Sequence, residues 1–187
     1  MNIIHGELLK NLKIIMKKYK PRDHGENRMN HEGDVLLARN NFYSNNNKNL
    51  HFLLKKRFSW MNNFIKKGDV GIEVGCGTGI SKEFILNANY KITDFSNYEY
   101  LDHKMIDALD TKFDNEAFDF IVSSNMIHHV PYPMRFFKEM NRILKPGGRL
   151  IIQEINCSLF MRLLLRIMRH EGFDFTINLN IYRPGQA

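Results

Sequence analysis

From residue 70 onward, short apolar runs alternate with stretches of helical periodicity. VGIEV (70–74), YKIT (90–93) and FDFIVSS (118–124) are compact and apolar, the form a strand takes when both of its faces are buried. HKMID (103–107) and RLIIQEI (149–155) read as two further strands. ISKEFILN (80–87), PMRFFKEMNRIL (133–144) and SLFMRLLLRIMRH (158–170) read as helices, the second with proline in its first turn. KPGG (145–148) reads as a stop and turn. Strands separated by helices predict right-handed crossovers and an α/β fold around a parallel sheet.

The first third of the chain is patterned differently. Ile4, Leu8, Leu12, Ile15 and Tyr19 recur at helical spacing, and Pro21 ends that run. Lys10, Lys13, Lys17 and Lys20 form a second stripe, read either as a solvated face or as peripheral contact with an anionic surface. VLLARNNFY suggests a short helix, and residues 50–66 another. The expected division is an N-terminal helical cap or lid over 1–50 and a sheet domain over 51–187. TINLNIYRPGQA supplies one more strand, over 175–182, and no second one. The expectation is therefore a sheet shortened at its C-terminal side, or one completed by a second copy or a partner chain, or a sequence that is a piece of a longer chain.

GIEVGCGTGIS, over 71–81, places Gly75, Gly77 and Gly79 between the first strand and the helical stretch after it. In an open parallel sheet ligands bind at that edge, beyond the carboxyl ends of the strands. The spacing GxGxG departs from the dinucleotide fingerprint. Glu73 precedes the loop by two residues, where an acid disfavours pyrophosphate and suits a cation or amine. Asp94 ends the second strand, where a carboxylate can accept both hydroxyls of a ribose. Together they fit adenosine carrying a positive group and no phosphate.

Composition narrows the classes. Of 187 residues, 43% are hydrophobic, enough for a core and too many for a disordered chain. No run of eighteen apolar residues marks a spanning helix, and the first residues lack the order of a signal peptide. Cys76 and Cys157 make neither a disulfide scaffold nor a metal site. A cytoplasmic setting is the expectation. The net charge of +7 attracts anionic partners or simply coats the surface.

IEVGCGTG, TDFS, IDAL, FDFIVSSNMIHHV and FFKEMNRILKPGGRLII succeed one another within residues 68–156. In that order they resemble the motifs of class I S-adenosylmethionine-dependent methyltransferases. IHHVPYP with ILKPGG is similar to the small-molecule branch, the methyltransferase-11-like enzymes. The resemblance implies a Rossmann-like, mostly parallel sheet with helices on both faces, and S-adenosylmethionine as cofactor. It implies that Glu73 and the loop Gly75, Cys76, Gly77 and Gly79 hold the methionine part, Cys76 being the loop's variable residue. Asp94 would bind the ribose, with Phe95 beside the adenine. Asp107 and Ala108 would meet the adenine amino group, and Ser124 and Asn125 would border the sulfonium and the acceptor. Arg39, Phe42 and Tyr43 belong to a segment that would close over the cofactor.

The acceptor implied is a small molecule or a glycan or lipid precursor. A hydroxyl acceptor needs a base, and His128 and His129 come after the fourth strand. His129 is preferred, because one of two adjacent side chains faces inward; packing beneath the cofactor is the structural alternative. His170 reads as a histidine meeting its helix C-terminus, and Arg162, Arg166 and Arg169 as a solvated stripe. Nucleic-acid methylation is disfavoured, since SSNMIHH stands where base-directed enzymes carry (D/N)PP(Y/F). A non-catalytic S-adenosylmethionine-binding partner protein is the rival reading.

Overall fold

The first strand of the four-stranded sheet, Gly71–Val74 (β1), is buried at all four positions and lies inside that sheet. In this computed structural model the described residues are 34–44, 47–130 and 132–168, with the backbone of Lys18–Tyr19 and Phe173–Asp174. β1 pairs with Tyr90–Thr93 (β2) on one side and Phe118–Ser124 (β3) on the other. Leu144–Gln153 (β4) flanks β3. The order is β2–β1–β3–β4 and all pairs are parallel, a mostly parallel Rossmann-like sheet. These strands fall in the compact unit Gly33–Glu154.

Both faces of the sheet are covered. On one, Phe120 and Val122 of β3 and Tyr90 and Ile92 of β2 pack with Phe58, Met61 and Phe84. Phe58 ends helix Lys48–Phe58 (α2), and Met61 lies in the 3₁₀ turn Ser59–Phe64 that continues it. The preceding helix, Val35–Ser44 (α1), adds Phe42 at the margin. On the other face, Ile72, Val74 and Ile121 pack with Phe136, Met140 and Ile143 of Pro133–Ile143 (α3). Those three recur at i, i+4 and i+7, so one apolar stripe faces the sheet. Glu139, on the same helix, accepts Thr111 N–H at 2.8 Å and the Thr111 hydroxyl at 2.6 Å, and Arg142 holds its carboxyl well below the usual range.

Three elements differ from expectation. Residues 80–87 form only a 3₁₀ turn, Ile80–Glu83. The Asn62 side chain donates to Phe84 O at 2.8 Å and accepts Leu86 N–H at 2.9 Å, replacing bonds that a helix would make. Residues 103–107 are not a strand: one bridge joins Thr93 and His103, and Met105 then takes φ 55°. KPGG lies within β4, as the four residues between the pairs Phe118–Leu144 and Phe120–Arg149. There the pairing shifts, and Phe118 and Phe120 enter opposite layers.

The helix expected over 2–20 lies outside the described residues except at Lys18–Tyr19, which is extended and pairs antiparallel with Phe173–Asp174. The strand expected over 175–182, Arg169 and His170 also lie outside them. The last described helix, Leu159–Met168 (α4), and the two short strands belong to the second compact unit.

A row of three residues runs across the sheet: Tyr90, Gly71 and Phe120 are register partners. The rings of Tyr90 and Phe120 stack over Gly71, 5.9 Å apart and 13° from parallel. A Cβ on Gly71 would come within 2.0 Å of the Phe120 ring. The Tyr90 hydroxyl donates to Glu73 at 2.7 Å, and the Ser81 hydroxyl donates to the same oxygen. Burial pushes the Glu73 carboxyl up to about 7, against the pull of those hydroxyls and of Arg57.

Gly71→Ala is expected to cost about 1–3 kcal/mol by overpacking, read from urea midpoints. Phe120→Leu in the same chain is expected to restore part of that loss, a non-additive pair. Glu73 takes up a proton on folding, since its folded pKa exceeds the ordinary 4.5. Its contribution is therefore complete below about 4.5 and is lost as pH rises through about 7. Between pH 5 and 7 the wild type should lose stability, on the order of 3 kcal/mol at most, and Glu73→Gln should flatten that slope.

Candidate active site

Beyond the carboxyl ends of β1, β2 and β3 lies a cleft of about 670 Å³. Gly75, Cys76 and Gly77 form one wall, Asp94, Phe95, Asp107 and Ala108 a second, and Ser124, Asn125 and His129 a third. Ten of the thirteen residues given a cofactor or catalytic role in the sequence therefore share one cleft. Glu73, Gly79 and His128 do not line it. Glu73 lies buried under the loop, tied to Ser81 and Tyr90. Gly79 closes the loop by donating to Cys76 O at 3.0 Å. His128 turns to Glu154, its Nδ1 2.7 Å from a carboxylate oxygen.

The glycine wall is held by its neighbours. Asp94 accepts Gly77 N–H at 2.9 Å with one oxygen and Ser96 N–H at 3.0 Å with the other. Cys76 N–H donates to Thr93 O at 3.0 Å. At Gly75, φ is 69° and an added Cβ would meet Met126 Cγ at 2.3 Å. Only glycine combines that conformation with that approach. Burial, together with Glu73 and Asp94, pushes the Cys76 thiol up, so it is not a reactive thiolate.

From α1, Arg39 donates to Thr78 O at 2.6 Å and stacks over the Tyr100 ring, 4.0 Å from its centroid. The Tyr100 hydroxyl in turn donates to Gly77 O at 2.5 Å. Val35, four residues before Arg39, reaches the cleft lining. Phe42 packs edge-on to Phe84, and the Tyr43 hydroxyl donates to Glu83 at 2.7 Å.

The third wall depends on Glu154, just past β4. One of its oxygens accepts Met126 N–H at 2.8 Å and Ile127 N–H at 2.6 Å; the other meets His128. Asn125, at φ 52°, donates its N–H to Gln153 O at 2.7 Å. The His128 and His129 rings lie 4.0 Å apart, with His129 on the cleft side. The 124–130 turn is thus fixed by three bonds to one carboxylate.

Sequence pattern alone passes over two residues at this site. Arg57, on α2, donates to the Ser124 hydroxyl at 3.2 Å, while its Nε is buried and makes no hydrogen bond. Burial lowers its pKa, against the fields of Glu73 and Glu154. In the sequence it is one cation within KKR, with no sign of which one turns inward. Glu154 does carry a signal: it comes directly after the last parallel strand, at the edge where ligands gather.

These groups fit an adenosyl amino acid. The cleft offers bare main chain at Gly75 and Gly77, two carboxylates for hydroxyl and amine donors, and a guanidinium with an unused donor beside Ser124.

Residues 72–152 match the family described as "Methyltransferase domain". A ubiquinone biosynthesis O-methyltransferase of Coxiella burnetii is 28% identical over 148 residues, 71% of this chain and 62% of that protein. The chloroplastic tocopherol O-methyltransferase of Arabidopsis thaliana is 30% identical over 99 residues, 43% of this chain and 28% of that one. Demethylmenaquinone methyltransferase of Staphylococcus carnosus is 27% identical over 110 residues, 48% and 44% of the respective chains. A Thermotoga maritima SAM-dependent methyltransferase structure has a TM-score of 0.47 at 22% identity, covering 74% of this chain and 75% of its own. The chain spans about six-tenths (62%) of the length of the first curated relatives it matches. The glycine loop, Asp94, Asp107 and almost all of the parallel sheet fall within residues 72–152, the stretch that matches the methyltransferase domain family.

Proposed function

We propose that the chain transfers a methyl group from S-adenosylmethionine to a hydroxyl of a small molecule. The observation that carries this is the convergence of the glycine loop, Asp94, Asp107 and His129 on one cleft. The relatives are named for ubiquinone, tocopherol and demethylmenaquinone chemistry. That supports a phenolic or quinol-type acceptor, or a lipid precursor of similar polarity.

When bound, the cofactor supplies an electrophilic methyl on sulfur. Everything else falls to side chains and main chain. Asp94 keeps unused lone pairs beyond its bonds to Gly77 and Ser96, and these suit ribose hydroxyls. Phe95 offers a face to the adenine, and Asp107 with Ala108 borders the base edge. The Gly75–Gly77 main chain and the spare donor of Arg57 suit the amino-acid end. Ser124 and Asn125 border the acceptor. His129 would hold the acceptor hydroxyl and take its proton onto an imidazole nitrogen, with the methyl carbon exchanging its bond to the neutral sulfide leaving group for one to that oxygen. His128 and Glu154 keep the turn that carries it in place. Of the segment expected as a cap or lid, α1 covers the glycine-loop side of the cleft, a reading supported by Arg39 on the loop and Val35 at the cleft. We place the reaction in the cytoplasm.

Calorimetric titration with S-adenosylhomocysteine tests the cofactor half. Asp94→Ala is expected to weaken binding at least tenfold, about 1.4 kcal/mol; unchanged affinity would remove Asp94 from the site. Transfer of a tritiated methyl group to a panel of phenols and hydroquinones tests the other half. His129→Ala should lower turnover by about 10²–10⁴ and leave S-adenosylhomocysteine affinity as it was. Equal turnover in that variant would exclude His129 as the base.

A further inference from the structure

Residues 35–68 contain Arg39, Lys48, Lys55, Lys56, Arg57, Lys66 and Lys67, and no aspartate or glutamate. The chain has 27 lysines and arginines against 20 acids, so summed over the rest of the chain the two signs balance. The net charge of +7 therefore equals the charge of this one stretch.

The segment sorts its cations by direction. Arg39 and Arg57 turn inward, to Thr78 O and the Ser124 hydroxyl. The lysines of α2 stay outside, and they share that side with large apolar groups. Phe52 is 57% exposed and Leu53 63%, with Trp60 (38%) and Phe64 (48%) next on the 3₁₀ turn. Phe52, Lys56, Trp60 and Phe64 recur every fourth residue. The Lys56 ammonium lies 5.7 Å from the Phe52 ring centre, and Trp60 packs edge-on to Phe64 at 5.9 Å. Opposite them, Leu54 and Phe58 of the same helix supply the core contacts.

A single exposed phenylalanine means little. Four large apolar side chains set among lysines, on a segment without a single acid, form a surface of defined chemistry. We propose that the outer side of α2 and its 3₁₀ extension docks on an anionic lipid bilayer. Apolar rings and Leu53 enter the headgroup boundary, and the lysine stems extend along them to place their ammonium groups at the phosphates. Among the described residues no helix is long and apolar enough to cross a membrane, so the contact is peripheral. A nucleic acid fits this face less well. The arginines that would fork onto bases or phosphates are turned into the protein, and Leu53 offers nothing to a base. The inference stands on this surface alone and does not depend on the methyl-transfer reading.

Trp60 is the chain's only tryptophan, so its fluorescence reports on the patch directly. The full chain is mixed with phosphatidylcholine vesicles, with and without phosphatidylglycerol. The chain should sediment with the anionic vesicles and not the neutral ones, and added salt should release it. Trp60 emission should shift to the blue and be quenched by brominated acyl chains. Lys55→Glu/Lys56→Glu should weaken vesicle binding at least about tenfold, and Phe52→Ser/Leu53→Ser should abolish the blue shift. Circular dichroism establishes that each variant is folded, and Lys55→Gln/Lys56→Gln gives the same test with a milder change. Failure to sediment, binding without a Trp60 shift, undiminished binding by the folded variants, or preference for single-stranded RNA over vesicles would each overturn the proposal.

Discussion

Gly71 is the point from which the site is built. Because it lacks a Cβ, Phe120 can lie across β1 and stack on Tyr90. That stack fixes the tyrosine so that its hydroxyl meets Glu73, which also holds Ser81 in the turn after the glycine loop. The loop is thereby anchored from below by a buried acid, while its upper surface carries no side chain at Gly75 or Gly77. A buried carboxyl at this place costs stability when ionised. The two hydroxyls and the Arg57 field offset part of that cost. A structural demand, to hold a side-chain-free loop in one conformation, accounts for an acid that touches no part of the cleft.

Two further carboxylates obey the same logic at neighbouring strand ends. Asp94, after β2, holds Gly77; Glu154, after β4, holds Met126 and Ile127. Two of the cleft's three walls are main chain pinned by an acid from the adjacent strand. Parallel strands make this economical, since every strand delivers its last side chain to the same edge. The two acids differ in what remains. Glu154 spends its second oxygen on His128, whereas the second oxygen of Asp94 meets only Ser96 and keeps room for a ligand. Of the paired histidines, His128 meets Glu154 and His129 lines the cleft.

Much of this was legible in the residues. Apolar runs bounded by turn residues marked β1, β2 and β3, and Phe136, Met140 and Ile143 marked α3, because burial writes a period into the sequence. The glycine triplet and Asp94 marked the ligand edge. The features that stayed hidden depend on partners far along the chain. The 80–87 segment has helical spacing, but Asn62, some twenty residues earlier, takes its backbone bonds. Residues 103–107 alternate like a strand, yet Ile106 N–H bonds Asp94 O at 2.9 Å and the chain turns at Met105. Nothing in KKR distinguishes the arginine that reaches Ser124 from the lysines beside it. Glu73 was legible as an acid near a cation site, but its burial beneath Tyr90 was not, since that depends on Gly71 and Phe120 packing together.

The helix α2 joins these themes, because its two sides serve different solvents. Leu54 and Phe58 bury into the core beside Met61, and Arg57 passes inward to the tip of β3. One turn away, Lys56 and Phe52 face out. Had the helix served only to cover the sheet, selection for solubility would have placed polar residues where Phe52 and Leu53 stand, and mixed acids among the lysines. It does neither, although acids and bases sum to zero over the rest of the chain. The same eleven residues thus connect an outward surface with the chemistry of an interface to the wall of the cleft at Ser124. A molecule dissolved in that interface would meet the protein on the element that reaches the cleft.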